Sequence, residues 1–249
     1  MEASLKVELH VLRDIGEIGL KAAETFVELA KSAVASKGRF AVALSGGATP
    51  QGLYSLLATS YRDEVPWGSV HIFWGDERCV PKEHEESNFR VAYESLLSKI
   101  DLPGENIHRM RGDLGPEAGA REYEEEIRRF FGPSGLPAFD LILLGMGEDG
   151  HTASLFPGSK ALEETERLVA PVYPEGHGRE RITLTLPVLN NATHIVFLVS
   201  GSSKAEVLSR VLGNGERGEY PAGLVRPLRG SLLWLVDRDA ARDLKPEIS

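Results

Sequence analysis

A glycine-rich loop after an apolar segment carries the side chains best suited to proton transfer. Residues 139–157 read FDLILLGMGEDGHTASLFP, which places Asp149 and His151 two positions apart. The imidazole of histidine exchanges a proton near neutral pH, and a neighbouring carboxylate can orient and polarise it. We therefore predict that His151 is a general base supported by Asp149, with a purely structural histidine as the alternative. A structural role is the expectation for the other histidines, including His10 and His194.

The glycines of this loop, Gly145, Gly147 and Gly150, also match the G-x-G-x-x-G pattern of dinucleotide-binding proteins. Glu148 and Asp149 lie between them, where the pyrophosphate would have to approach, and no acidic residue closes a second strand about 20 residues later. The spacing therefore gives no support to a dinucleotide cofactor.

A second glycine turn has the form of an anion-binding loop. Ser45, Gly46 and Gly47 follow an apolar run, and Thr49 and Pro50 open a predicted helix with Thr49 as its cap. Backbone N–H groups in such a turn converge on an anion, and the helix dipole adds partial positive charge. The segment lacks the lysine of a Walker loop, which argues against a nucleoside triphosphate. We predict a phosphate-binding loop, and a strand-to-helix turn without a ligand is the alternative.

Charged side chains follow two other predicted strands. Lys204 lies in the first turn of a helix that opens at residues 201–203, where a cation is unfavourable unless an anion lies between it and the helix dipole. Asp76, Glu77 and Arg78 end an apolar run, and Asn88 follows closely. Charges at such a place belong either to an active site or to a surface turn, and we predict the active site. Whether Glu77 and Asn88 bind the ligand or only hold loops stays open.

These loops need a common scaffold, and the hydrophobic pattern indicates one. Nearly continuous apolar runs alternate with amphipathic stretches, as in strands buried on both faces of a mostly parallel sheet. The predicted strands are 40–44, 70–74, 141–144, 195–199 and 232–236, and the predicted helices are 15–36, 51–58, 88–99 and 204–212. We predict a single α/β domain over residues 1–249, with a doubly wound sheet, helices on both faces and a long mobile loop over residues 171–181. Loops at the carboxyl ends of such strands face a common crevice.

The composition limits the kinds of partner. Of 249 residues, 42% are hydrophobic and 26% are charged, which is typical of a globular protein with a packed core. The net charge of -9 argues against nucleic acid or an anionic membrane as a partner, since both need a basic face. The single cysteine, Cys79, can form no internal disulfide, and no stretch has the pattern of a signal peptide or a membrane span. We predict a cytoplasmic protein with a small-molecule ligand, and the oligomeric state is left open.

Taken in order, the four segments resemble the 6-phosphogluconolactonase family, which is grouped with the glucosamine-6-phosphate deaminases and isomerases in one α/β superfamily. The resemblance extends from Ser45 to the segment PAGLV at residues 221–225. It implies hydrolysis of 6-phosphoglucono-δ-lactone to 6-phosphogluconate, the second step of the oxidative pentose phosphate pathway, without metal or organic cofactor. His151 resembles the family's water-activating base, with Asp149 beside it.

The segments and the resemblance together define the predicted site. Its catalytic residues are His151 and Asp149. The 45–49 loop, Arg78 and Lys204 are similar to the family's phosphate and substrate contacts, and either Arg179 or Arg181 is a further candidate for the same set of cations. The predicted binding residues are Ser45, Gly46, Gly47, Thr49, Asp76, Arg78, Asn88, Lys204, Arg179 and Arg181.

One departure separates the branches of the superfamily. Deaminases typically have a glutamate just before the proline of this loop, and this chain has Phe156 there. The missing carboxylate would serve ring opening and proton shuttling, whereas a lactonase needs only one base and a water molecule. We therefore predict the lactonase branch.

Other mechanisms remain as alternatives. A serine esterase would use Ser45, although the first glycine of the G-x-S-x-G elbow is missing, and a thiol enzyme would use Cys79. A sugar-phosphate isomerase or deaminase would use Asp76 as its base. A sugar-phosphate sensor would keep the pocket without catalysis, but the sequence has no basic helix-turn-helix pattern.

Overall fold

The structure, a computed structural model, describes residues 6–174, 176, 178–213 and 219–245. Its centre is a parallel six-stranded sheet in the order β1-β9-β8-β5-β2-β3, and a smaller antiparallel sheet has the order β4-β7-β6. The strands are β1 (Lys6–Leu12), β2 (Phe40–Leu44), β3 (Val70–Trp74), β4 (Asp76–Arg78), β5 (Leu141–Leu144), β6 (Val169–Val172), β7 (Arg181–Leu184), β8 (His194–Val199) and β9 (Ser231–Asp237). The α-helices are α1 (Ile15–Lys37), α2 (Ala48–Ala58), α3 (Asn88–Ser95), α4 (Pro116–Phe131), α5 (Leu186–Asn190), α6 (Ala205–Leu212), α7 (Pro221–Leu224) and α8 (Arg238–Ala241).

The large sheet confirms the predicted doubly wound α/β fold. The predicted strands 40–44, 70–74 and 141–144 match β2, β3 and β5 in full, and β8 and β9 extend slightly beyond their predicted ends. Every residue of β2 and β5 is buried. Such strands need cover on both faces of the sheet, which is why their sequences are continuously apolar and not alternating.

Helices α1 and α3 begin at the predicted residues, each after a side chain that caps its first turn. Asp14 Oδ1 accepts a hydrogen bond from the Glu17 N–H at 3.0 Å at the start of α1, and Gly38 ends that helix with a φ of 77°. Ser87 Oγ accepts a hydrogen bond from the Arg90 N–H at 3.2 Å at the start of α3.

Three predicted helix boundaries are wrong. Helix α2 begins directly after Gly47, whose φ of 99° makes the turn, so Thr49 lies inside the first helical turn and does not cap it. Helix α6 begins after Lys204, which closes a 3-10 turn. Helix α3 ends at Ser95, and a 3-10 turn over Leu97–Lys99 follows. Leu96 and Leu97, at the junction of the helix and the 3-10 turn, are both buried in the core.

The predicted loop over residues 171–181 is wrong at both ends, because β6 and β7 take residues from each side of it. Strand β7 also pairs with β4, which places Arg78 opposite Arg181. Strand β4 consists of three charged residues and has no apolar alternation, so the usual strand signal is absent from its sequence. This small sheet matters to function because it holds two arginines side by side.

The strand order brings four loops to one place. Strands β8, β5, β2 and β3 are neighbours and parallel, so their carboxyl ends lie along one edge of the sheet. From β2 the chain continues to β3 on one side, whereas β5 lies on the other side and continues to β8. Ligands of open α/β sheets bind at such a reversal, outside the carboxyl ends of the strands.

The packing of the two sheets supports the prediction of a single domain. Buried side chains from the large sheet, the small sheet and the helices form one continuous hydrophobic cluster, which includes Phe26 of α1, Ile182 of β7 and Trp234 of β9. Within the described residues, no helix is long and apolar enough to cross a membrane.

Candidate active site

The four strand-end loops line a pocket of about 410 Å³. Most of the predicted site residues are in its wall, namely Ser45, Gly46, Gly47, Thr49, Asp76, Arg78, Asn88, His151, Arg181 and Lys204. Asp149 is not in the wall, because it lies behind His151 and contacts that side chain. Arg179 is also outside the wall, and its exposed guanidinium pairs with Glu86. Of the two alternative arginines, the structure thus brings Arg181 to the pocket.

His151 and Asp149 form a close pair at the centre of the site. His151 Nδ1 lies 2.5 Å from Asp149 Oδ1, and the His151 backbone N–H donates to the same oxygen at 3.1 Å. Burial by itself would raise the pKa of Asp149, but the hydrogen bonds from the side chain and backbone of His151 outweigh it and lower that pKa to about 2. Asp149 is therefore ionised at neutral pH and fixes a proton on Nδ1, which leaves Nε2 as the nitrogen that can accept a proton.

Two glycines allow close packing in and around the loop that carries this pair. A Cβ atom on Gly147 would lie 2.1 Å from His151 Nδ1 and 2.6 Å from Asp149 Oδ1. Gly150 has a φ of 77°, and a Cβ atom there would lie 2.5 Å from the Tyr220 ring. Gly147 thus permits close packing around the imidazole, and Gly150 permits both the turn and the approach of Tyr220.

One end of the pocket has the features of an anion-binding site. Gly47 is the N-cap of α2, so the N-terminal end of that helix opens at the pocket wall. The Ser45 hydroxyl is buried there and has no hydrogen-bond partner among the described residues. Lys204 adds a positive charge to the same wall, and its Nζ lies 3.8 Å from a carboxylate oxygen of the exposed Glu148.

Arg78 and Arg181 add two more positive charges. Burial lowers the pKa of Arg181, and the neighbouring Arg78 lowers it further. One guanidinium nitrogen of Arg78 donates to the Glu86 backbone carbonyl at 2.8 Å. Two guanidinium groups held close together on paired strands repel each other, and an anion placed between them would relieve that repulsion.

Asp76, Glu77 and Asn88 mainly hold the loops together. Asp76 Oδ2 accepts a hydrogen bond from Ser154 Oγ at 2.6 Å, and its Oδ1 accepts from Asn88 Nδ2 at 3.2 Å. Glu77 accepts hydrogen bonds from the Asn88 N–H at 2.7 Å and from Ser87 Oγ at 3.0 Å, and it is not in the pocket wall. Burial raises the pKa of Glu77, against the backbone hydrogen bonds that lower it. Asp76 and Asn88 also line the pocket, in addition to holding the loops.

This geometry argues against three of the alternative mechanisms. The Ser45 hydroxyl has no base as a hydrogen-bond partner within the described part of the chain, which a serine nucleophile requires. Burial raises the pKa of the Cys79 thiol to about 12, so the thiolate needed for attack is scarce at neutral pH. Both carboxylate oxygens of Asp76 already accept hydrogen bonds from protein groups, which weakens it as a base for an isomerase.

Sequence reasoning missed several residues that shape this site. Ala153 lines the pocket with a φ of 48°, which is rare for any residue except glycine. Ser154 is fully buried and ties the His151 loop to Asp76. Phe156 packs against His151. The only available signal was their place in the same short loop as the histidine, because alanine, serine and phenylalanine carry no chemistry that marks a site.

The doubly wound α/β sheet carries a histidine–aspartate pair at a pocket lined by three cationic side chains, an arrangement suited to general-base chemistry on a small anion. The chain belongs to the family described as glucosamine-6-phosphate isomerases/6-phosphogluconolactonase, whose model matches residues 14–234.

Named relatives of this chain narrow the family to one branch. It is 44% identical to a 6-phosphogluconolactonase of Synechocystis sp. over 86% of this chain and 88% of the relative. It is 38% identical to a 6-phosphogluconolactonase of Nostoc sp. over 96% of this chain and 99% of the relative. The solved structure of 6-phosphogluconolactonase from Trypanosoma brucei superimposes with a TM-score of 0.86 at 27% identity and covers 97% of this chain and 100% of that one.

Proposed function

We propose that this protein is a lactone hydrolase that converts 6-phosphoglucono-δ-lactone to 6-phosphogluconate in the oxidative pentose phosphate pathway. The observation that carries the proposal is the His151–Asp149 pair, which faces a pocket lined by Lys204, Arg78 and Arg181. The lactonase relatives and the lactonase structure support it independently. A phosphorylated sugar lactone is an activated ester with a dianionic group, so it needs both a base and a set of cations.

In the proposed reaction, Nε2 of His151 takes a proton from a water molecule as that water attacks the lactone carbonyl carbon. The C–O bond of the ring ester then breaks, and the ring oxygen leaves as a hydroxyl group after it receives the proton that the His151 imidazolium holds on Nε2. The positive charge that develops on the imidazole is stabilised by the ionised Asp149. Backbone N–H groups of the loops or an arginine stabilise the tetrahedral oxyanion.

Contacts between the cationic side chains and the phosphate orient the substrate. The substrate phosphate binds to the 45–49 loop, Lys204 and Arg78, and a charge-assisted contact of this kind contributes roughly 1.5–3 kcal/mol. Because the phosphate arm and the carbonyl belong to one small ring, fixing the phosphate places the carbonyl against His151. Asp76 and Asn88 hold the loops that carry these groups.

The proposal is tested with purified protein and freshly generated 6-phosphoglucono-δ-lactone, by following acid release and subtracting spontaneous hydrolysis. We expect acceleration that persists in EDTA, and glucosamine 6-phosphate should give no ammonia. Ammonia release without lactone hydrolysis would favour the deaminase alternative. Tight binding of 6-phosphogluconate without any turnover would favour the sensor alternative.

Replacing Lys204 by methionine tests the anion end of the pocket. We expect Lys204→Met to raise KM about 10- to 100-fold, because the phosphate loses one charge-assisted contact, while kcat changes much less. Steady-state kinetics at fixed ionic strength measure both constants. The matched control is Lys31→Met, since the Nζ of Lys31 pairs with Glu64 at 2.9 Å on the surface, away from the pocket. Equal KM values for the two variants would contradict the assignment of Lys204.

Several other expectations stay predictions. They are the single domain over residues 1–249, the cytoplasmic location, the lack of a cofactor, and the lack of nucleic-acid and membrane partners. Among the residues described by the structure, no group of three or more histidine, cysteine, aspartate or glutamate side chains is arranged to hold a metal ion.

A further inference from the structure

Phe156 contacts two side chains of the site at once. Its ring is 4% exposed. The centroids of the Phe156 and His151 rings are 4.6 Å apart, with 42° between the ring planes. The guanidinium carbon of Arg181 lies 5.3 Å from the Phe156 ring centroid. One buried aromatic side chain therefore contacts both the proposed general base and a cation of the pocket wall.

The two ring contacts restrict the side chains of His151 and Arg181 in ways that their polar contacts do not. The hydrogen bond to Asp149 fixes the proton on the imidazole of His151, but Asp149 belongs to the same short loop and is itself partly exposed. A packed ring on the imidazole restricts its rotation independently of that bond. On Arg181, an aromatic face holds the guanidinium by a cation–π contact without neutralising its charge, as a carboxylate would. The cation–π contact itself thus leaves the positive charge on the guanidinium.

The backbone around Phe156 is held on both sides. Before it, Thr152 and Leu155 form a backbone bridge, in which the Leu155 N–H donates to the Thr152 carbonyl at 2.9 Å. Ser154 in the same turn is hydrogen-bonded to Asp76. After it, the Ser159 N–H donates to the Phe156 carbonyl at 3.0 Å. The ring thus projects from a fixed turn, which is what a positioning role requires.

We propose that Phe156 is a positioning residue that sets the imidazole of His151 and the guanidinium of Arg181 relative to each other, so that base and cation act on the same bound substrate. This inference rests on the proposed lactonase function for its kinetic consequences. Its structural content, that the Phe156 ring fixes the orientation of both side chains, does not depend on the substrate.

The first test replaces the ring by an aliphatic side chain of similar size. We expect Phe156→Leu to lower kcat about tenfold, because the base loses its alignment, and to raise KM about threefold through Arg181. Phe156→Met, which fills the space differently, should behave the same way. The control is Phe26→Leu, the same change at a fully buried ring of α1 that packs on Phe40. Chemical denaturation establishes that each variant folds.

A double-mutant cycle separates positioning from general damage to the loop. In a chain that already carries Arg181→Met, the Phe156→Leu change should raise KM no further, because the group that it displaces is gone. Effects on KM that add fully in the double variant would overturn the proposal. So would a kcat for Phe156→Leu equal to that of Phe26→Leu.

A measurement without substrate distinguishes failure of this inference from failure of the proposed function. The imidazole resonances of His151 are assigned by NMR as those that His151→Gln removes. In Phe156→Leu they should shift and broaden, and in Phe26→Leu they should stay in place. Unchanged His151 resonances in Phe156→Leu would overturn the positioning role, even in an active enzyme. If the native protein hydrolyses no lactone, the proposed function fails and these resonances still decide the role of Phe156.

Discussion

Replacing His151 by alanine should lower kcat for lactone hydrolysis by roughly 10²- to 10⁴-fold, the usual contribution of a positioned general base. The imidazole of His151 lines the pocket, and because its Nδ1 is hydrogen-bonded to Asp149, its Nε2 can accept a proton. KM should change little, because the proposed phosphate contacts are made by other side chains. Spontaneous hydrolysis of the lactone must be subtracted, since the residual rate of the variant approaches it.

The control for this prediction is His10→Ala. The His10 side chain is 37% exposed and its Nε2 lies 3.4 Å from a carboxylate oxygen of Glu8, so it resembles the His151–Asp149 pair in chemistry. It lies on β1, an edge strand of the large sheet, and does not line the pocket. His10→Ala should keep the native kcat. Native turnover by His151→Ala would refute the assignment of the base and leave the lactonase proposal without a mechanism.

The buried half of the fold could be predicted from the sequence because burial leaves a simple pattern. Strands β2 and β5 are short and continuously apolar, and β3 departs from this only at His71. The ends of all three strands were predicted to the residue. Strand β1 was missed because Val7 and Val11 stay exposed at the sheet edge and Lys6 and Glu8 interrupt the apolar residues, which dilutes the apolar signal. Helix α4 was missed as well, since its buried stripe lies within a stretch dominated by glutamate and arginine.

The site residues could likewise be predicted where their own chemistry marks them in the sequence. His151, Lys204, Arg78 and the 45–49 loop have side chains or glycines whose chemistry is visible in the sequence, and the parallel sheet brings their strand ends together. Phe156 was noted only as a departure from the deaminases. Its contact with Arg181 depends on the small antiparallel sheet, which the sequence did not reveal. Long-range placement of this kind comes from register and packing, and local patterns do not encode it.

The role of Asp149 is tested by an isosteric change. Asp149→Asn keeps the shape of the side chain but removes the charge that stabilises the imidazolium, and the amide can hold the other tautomer of His151. We expect kcat to fall about 10²-fold or more, with KM nearly unchanged. Because the pKa of Asp149 is about 2, the native carboxylate is ionised at every pH from about 5 to 9, so the loss should not recover anywhere in that range. Asp113→Asn is the matched control: the side chain of Asp113 is 30% exposed, against 31% for Asp149, and it pairs with surface arginines.

Combining the two changes decides whether the pair acts as a unit. If Asp149 works only through the imidazole, the double variant His151→Ala/Asp149→Asn should be no slower than His151→Ala, because the carboxylate has nothing left to orient. If the carboxylate acts on substrate or water directly, the two losses should multiply. The structure favours the first result, since Asp149 lies behind His151 and does not line the pocket. A multiplicative loss would therefore show that Asp149 reaches the reacting atoms in the substrate complex, and the general base would then have to be reassigned to the pair.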